Sequence, residues 1–237
     1  MIEVKNLVKT YGTKGNLFNA VDNVSFVIPS GTSVAILGKS GSGKSTLMHI
    51  MSGLDKPTSG EILIDGKNLM LLKQKDIDIF RSNKMSFIFQ SFFVQAKESC
   101  YDNVSLPLEI ADVAISRRRA KIESALAAVD LSEKIKARAK ELSGGQKQRL
   151  AVARAIVNSP QILFADEPTG NLDSVTGGMV EDLLFGYSKK NKVTLIIVTH
   201  DPELASRCDI EIHLKDGRID SISPPKFNKI FADKELK

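Results

Sequence analysis

The sequence predicts an α/β fold with an N-terminal antiparallel β-subdomain and an inserted α-helical subdomain. Three observations predict it. The stretch Gly38-Lys39-Ser40-Gly41-Ser42-Gly43-Lys44-Ser45 fits G-x-x-x-x-G-K-[ST], between the apolar run Ser33–Leu37 and a segment that reads as helix from Thr46 onward. Residues 2 to 30 alternate apolar and polar positions, as antiparallel strands with one solvated face do. Between residues 91 and 154 apolar positions recur at helical spacing, as at Ile122, Ala125, Leu126 and Val129.

Composition narrows the class. The chain has 237 residues, 42% apolar and 26% charged, which suits a large globular domain with a sizeable core. A net charge of +5 is mild and reads as a solvated surface, while charge alone leaves a weak preference for an anionic membrane face or for nucleic acid open. Cys100 and Cys208 stand far apart with no metal-ligand spacing and are expected to be free thiols. The N-terminus lacks the basic-then-apolar pattern of a secretion signal, and no apolar run approaches the ~20 residues that span a bilayer. Work at a membrane would therefore need another polypeptide to do the spanning.

Taken in order, residues 2 to 30 should form antiparallel strands, with Tyr11-Gly12 in the turn region between them. Glu61–Lys67 reads as a strand ending in an Asp-Gly turn, Asp76–Ser82 as a short helix and Lys84–Phe89 as a buried strand. The basic runs Arg117-Arg118-Arg119 and Lys134–Lys140 read as solvated faces. Gln161–Pro168 reads as a buried strand ending in two acids, Val193–His200 as another continuous apolar strand, and Glu211–Ile219 as a hairpin around Asp216-Gly217. Beyond Ser223 the tail is polar with a few apolar anchors, so a weakly docked or partly disordered segment is expected over 223–237.

The chemistry clusters at strand ends. Gly38, Gly41 and Gly43 let consecutive backbone N–H groups turn toward a phosphate chain. Lys39, Ser40 and Ser42 complete that loop, Lys44 brings positive charge to the β- and γ-phosphates, and the Ser45 hydroxyl can hold Mg²⁺. The helix from Thr46 adds its positive N-terminal end. Gln90 stands at the carboxyl end of its strand, where open α/β sheets bind ligands. Asp166 is placed to hold a Mg²⁺ hydration shell, and Glu167 to polarise a water aimed at the γ-phosphate. His200 ends another such strand, whereas His49 and His213 read as structural. Ser143-Gly144-Gly145-Gln146 precedes a helix and offers a second anion-binding end.

With these motifs in order, the chain resembles the ATP-binding subunit of an ABC transporter over residues 1 to about 222. Leu142–Gln146 resembles the LSGGQ signature that separates this family from other P-loop proteins. The resemblance implies a P-loop NTPase (RecA-like) core, with the helical subdomain over 91–154 and core segments at 1–90 and 155–222. It implies ATP and Mg²⁺ as ligands, with Tyr11 stacking on adenine, Gln90 as the Q-loop glutamine, Asp166 as the Walker B aspartate, Glu167 as the catalytic glutamate, Asp173 as the D-loop aspartate and His200 as the switch histidine. Ser52–Gly60 and Asp166–Gly177 are similar to the lipoprotein-release (LolD-like), macrolide-export (MacB-like) and bacitracin-resistance branch, with FtsE as a more distant relative.

The resemblance further implies a head-to-tail homodimer. ATP would lie between the P-loop of one subunit and Ser143 to Gln146 of the other, at the cytoplasmic face of the membrane, beside an integral-membrane permease with a large extracytoplasmic domain. One departure follows Gln90, where Phe92–Cys100 replaces the more apolar, Leu-Pro-containing stretch usual at the segment facing the membrane subunit. A mechanotransmitting, FtsE-like output is the alternative to transport. A DNA- or ribosome-associated ATPase of the same class would carry a long coiled-coil insertion or two ATPase halves, so no nucleic-acid partner is expected.

Overall fold

The computed structural model describes residues 1–13 and 15–224; the expected tail beyond Pro224 lies outside the described residues. Along the chain the strands are β1 (Ile2–Thr13), β2 (Asn16–Ile28), β3 (Ser33–Leu37), β4 (Ser59–Ile64), β5 (Lys67–Asn68), β6 (Met85–Phe89), β7 (Ile162–Asp166), β8 (Thr194–Thr199), β9 (Ile210–Lys215) and β10 (Arg218–Ile222). The helices are α1 (Lys44–Met51), α2 (Gln74–Lys84), α3 (Cys100–Ile110), α4 (Ile115–Ala128), α5 (Gly144–Ile156), α6 (Ser174–Asn191) and α7 (Pro202–Ser206). They form two compact units, one of Met1–Lys73 with the chain from Thr194, the other of Gln74–Val193.

In the first unit, β2, β1, β4 and β5 make an antiparallel sheet in that order. Its inward positions Ile2, Val4, Leu7, Val21 and Val24 are buried, while neighbours such as Lys5 face solvent, the alternation read from the sequence. Tyr11 does not sit in a turn. It lies inside β1, opposite Phe18 of β2, because the two strands stay paired as far as Thr13 and Asn16. A second set of strands runs β10-β9-β3-β8, with β9 and β8 both parallel to β3. Val34, Ala35 and Ile36 and the run Leu195–Val198 are fully buried, so these strands are apolar throughout. The turns Asp65-Gly66 and Asp216-Gly217 both take positive φ at both residues, the primed geometry that matches the strand twist of a hairpin.

In the second unit, β6 and β7 pair in parallel, with Phe89 opposite Asp166. Helices α3, α4 and α5 belong to the same unit. Helix α3 opens on a capping box, Ser99 with Asp102, which starts the helix at the end of the unusual Phe92–Cys100 stretch. Cys100 and Cys208 are free and buried, and burial pushes the Cys100 thiol up.

Candidate nucleotide-binding site

The phosphate loop grows out of β3, whose last residue Leu37 lies opposite Thr199 of β8. Gly38 and His200 therefore leave neighbouring strand ends together, and His200 is exposed there. Gly43 ends the loop with φ 98°, and a Cβ on it would meet the carbonyl oxygen of Ala20 at 2.1 Å. Only glycine fits, and it leaves α1 without any side-chain N-cap. The first N–H groups of α1 are thus not capped by a side chain, which is the requirement for an anion site. Lys44 folds over the loop and donates from Nζ to the carbonyls of Gly38 (2.7 Å) and Lys39 (3.0 Å). The Ser42 hydroxyl oxygen is buried with no hydrogen-bond partner. An orphaned polar atom in a loop of this shape fits a phosphate group and its cation.

Tyr11 is fixed from three sides. Its hydroxyl donates to Asp55 Oδ2 at 2.7 Å, Lys9 Nζ lies 4.8 Å from its ring centroid, and Phe18 packs at a tilt 6.0 Å away. Lys9 also pairs with Asp55 at 2.7 Å. Burial, then the Asp55 carboxylate, pushes the phenol up, while hydrogen bonds from Lys9 and Tyr11 outweigh burial and hold Asp55 below the ordinary carboxylate range. The result is a rigid, partly exposed aromatic face.

The second unit brings together Gln90, Asp166 and Glu167. Because Phe89 is opposite Asp166, Gln90 and Glu167 are the next residues on adjacent parallel strands. Glu167 has φ 46°, a conformation rarely adopted by a non-glycine residue and typical of functional sites. Asn171 Nδ2 donates to the Gln90 carbonyl at 2.9 Å, and Gly170 lies beside the Gln90 amide. Asp173 is the N-cap of α6 and accepts from the Thr176 N–H at 3.0 Å, the bond that chiefly lowers its pKa.

Ser143 and Gln146 form a complete capping box on α5: Ser143 Oγ accepts from the Gln146 N–H at 3.3 Å, and Gln146 Oε1 accepts from the Ser143 N–H at 3.0 Å. The glycines between them have a separate reason. A Cβ on Gly145 would lie 2.2 Å from the Thr176 methyl, so α5 and the first turn of α6 touch there.

Two residues of α5 went unread in the sequence. Gln148 is fully buried and donates from Nε2 to the carbonyls of Pro168 and Phe89, leaving its Oε1 without a partner. Arg154 donates to the carbonyls of Phe93 (2.7 Å) and Phe92 (3.1 Å). Together with Asn171 they hold the backbone on both sides of Gln90. The signal was available: Gln148 occupies the apolar stripe of α5, three, four and seven residues before Ala151, Val152 and Ala155.

The sequence pattern of the ABC transporter family matches residues 21–170. The chain belongs to that family. Among ABC proteins it is 42% identical over 219 residues to "Lipoprotein-releasing system ATP-binding protein LolD" of Syntrophotalea carbinolica, covering 92% of this chain and 96% of that one. It is 41% identical to "Macrolide export ATP-binding/permease protein MacB" of Hyphomonas neptunium, over 95% of this chain and 35% of that protein. The dimeric, post-hydrolysis structure of the ATP-binding cassette MJ0796 bound to ADP and Pi superposes with a TM-score of 0.86 at 36% identity, covering 94% of this chain and 98% of the other. The fold is thus that of an ABC cassette: a P-loop NTPase core with an antiparallel N-terminal sheet. The LolD/MacB-like branch read from residues 52–60 and 166–177 agrees with these relatives.

Proposed function

We propose that this ABC protein is the ATP-binding and hydrolysing subunit of a membrane transporter. It dimerises head to tail on ATP and drives a separate FtsX/MacB-like permease, with a large extracytoplasmic domain, from the cytoplasmic face. The observation that carries ATP binding is the phosphate loop, in which α1 has no side-chain cap and Lys44 and the orphaned Ser42 hydroxyl line the turn. The MJ0796 cassette, solved as a dimer with ADP and Pi, supports both the dimer and the hydrolysis. The LolD relative, an ATP-binding protein of a release system, supports an ATPase working beside other subunits. Among the described residues no helix is long and apolar enough to cross a membrane.

Each residue then has a part. Tyr11 stacks on the adenine through the face that Asp55 and Lys9 hold still. The amides of Gly38 to Thr46, with Lys44, neutralise phosphate charge. Ser45, Gln90 and Asp166 would hold Mg²⁺. The Mg²⁺–ATP they bind supplies an electrophilic γ-phosphorus. Glu167 orients water and accepts its proton, and His200 hydrogen-bonds the transferring oxygens. Ser143, Gly144, Gly145 and Gln146 act on the nucleotide of the second subunit through hydroxyl, amides and helix dipole, with Asp173 beside that contact. The domain boundaries belong to this reading: an ATPase domain over 1–222, with 91–154 as the subdomain that meets the permease through the segment after Gln90.

Glu167→Gln tests the assignment. The variant should bind ATP with near-normal affinity by calorimetry and lose at least about 100-fold in turnover. Near-normal turnover would remove Glu167 from the mechanism.

A further inference from the structure

The turn between β9 and β10 ends against the phosphate loop. A two-residue turn such as Asp216-Gly217 leaves peptide groups of its own outside the strand ladder, so they need partners elsewhere. Gly217 finds both of its partners in the first unit. Its N–H donates to the Ser42 carbonyl in the loop at 3.1 Å, and its carbonyl accepts from the Asp22 N–H of β2 at 2.8 Å. Arg218, the next residue, pairs with the Asp22 carboxylate at 2.6 Å through one terminal nitrogen and at 2.8 Å through Nε. The fit is close. Gly217 has φ 77°, and a Cβ on it would lie 3.1 Å from the carbonyl oxygens of Asn19 and Ala20. The strand before the turn presses on the loop as well, since a Cβ on Gly38 would run into the Leu214 carbonyl oxygen of β9.

The consequence lies one bond further along the loop. The Ser42 carbonyl and the Gly43 N–H belong to one peptide unit, and in a planar trans peptide they point in opposite directions. Holding the carbonyl toward Gly217 therefore holds the Gly43 N–H away from the hairpin. The neighbouring peptides are tied down separately: the Ser42 N–H donates to the Lys39 carbonyl at 3.1 Å, and the Gly43 carbonyl accepts from the Leu47 N–H at 2.8 Å. The peptide between them could still turn over, because glycine at 43 visits both signs of φ at little cost. The Gly217 N–H opposes that motion.

We propose that Gly217, anchored by Asp22 and Arg218, is a positioning residue for ATP: its N–H locks the Ser42–Gly43 peptide so that the Gly43 N–H faces the bound phosphates. The inference rests on the reading of this loop as the phosphate site and adds to it a lock supplied by the β9–β10 turn. Without the lock, part of the population would carry that peptide turned over, and affinity would fall with the competent fraction.

The test removes the Gly217 N–H while keeping the residue's shape. Cys208 offers a ligation junction: residues 1–207, as a thioester, are joined to a synthetic 208–237 peptide in which glycolic acid replaces Gly217, and the chain is refolded. The same ligation with an all-amide peptide is the control. By calorimetry the ester chain should bind Mg-ADP about threefold to tenfold more weakly, in keeping with one backbone hydrogen bond. KM for Mg-ATP should rise by the same factor, with kcat unchanged within about twofold. A second measurement uses the control chain with an NMR-active nitrogen label at Gly217 alone. Coupling is reciprocal, so Mg-ADP at the loop should slow hydrogen exchange of the Gly217 N–H about threefold to tenfold, a result that decides the matter even if the ester chain does not refold. Equal affinity of the two chains, a lowered kcat with KM unchanged, or exchange indifferent to Mg-ADP overturns the inference and leaves ATP binding standing. A control chain that folds like the recombinant protein yet binds no nucleotide overturns both.

Discussion

Two helix starts in this chain follow glycine-rich loops and both read as anion sites, yet they are built oppositely. Helix α1 begins after a left-handed Gly43 with no side-chain cap. Helix α5 begins with Ser143 and Gln146 capping one another's backbone. The first four N–H groups of any helix lack intrahelical partners. In α1 they are left for a ligand, whereas in α5 part of the demand is met from within. Under the dimer reading, the signature end approaches a partner's nucleotide with its own cap already closed, through the N–H groups of Gly144 and Gly145. The phosphate loop is shaped for affinity, and the signature end for its own stability first.

That contrast is open to attack at several positions. At the α1 end, Lys44→Ala should weaken ATP binding about tenfold to a hundredfold by removing a charged hydrogen bond, with little change in the melting temperature of the nucleotide-free protein. Calorimetry and a thermal scan check both halves, and unchanged affinity would contradict the phosphate contact. At the α5 end, Gly145→Ala should destabilise the fold by about 1–3 kcal/mol, because its new methyl meets Thr176. Chemical denaturation should show Thr176→Ser relieving part of that loss. Ser143→Ala should have the smallest effect: about 1 kcal/mol of stability from the lost cap, with ATP affinity of the isolated subunit unchanged within about twofold. If Ser143→Ala instead weakened ATP binding in the isolated subunit as much as Lys44→Ala does, the two ends would be alike and the contrast would fail.

The sheet was readable because buried parallel strands leave a plain mark. Ser33–Leu37, Val193–His200 and Gln161–Pro168 read as apolar runs with abrupt polar ends, and the structure places β3, β8 and β7 inside them, β7 stopping at Asp166, two residues before Pro168. The residues at those ends could be found by the same rule. Tyr11 was misplaced because Tyr-Gly-Thr has turn composition, while the pairing of Tyr11 with Phe18 is a long-range fact that local composition does not encode. Asp173 was read through family resemblance as a D-loop residue, and the structure adds that it caps α6. Arg154 was missed because its partners are main-chain carbonyls beside Gln90, which leave no signature in the residue letters, whereas Gln148 left one in its place on the apolar stripe of α5. The left-handed backbone of Glu167 was equally hidden, since glutamate has no preference for that conformation.

That last feature sets two pressures on the chain against each other. Glu167 holds a positive φ of 46° directly before Pro168, a place where ordinary residues favour extended backbone. Glycine at 167 would occupy the same turn with less strain but would supply no carboxylate. Under the part proposed for Glu167, directed evolution toward heat tolerance alone would be drawn to that exchange and would silence the motor by making it sturdier. A stabilised version of this protein would have to be sought at other positions, with 167 kept out of the library.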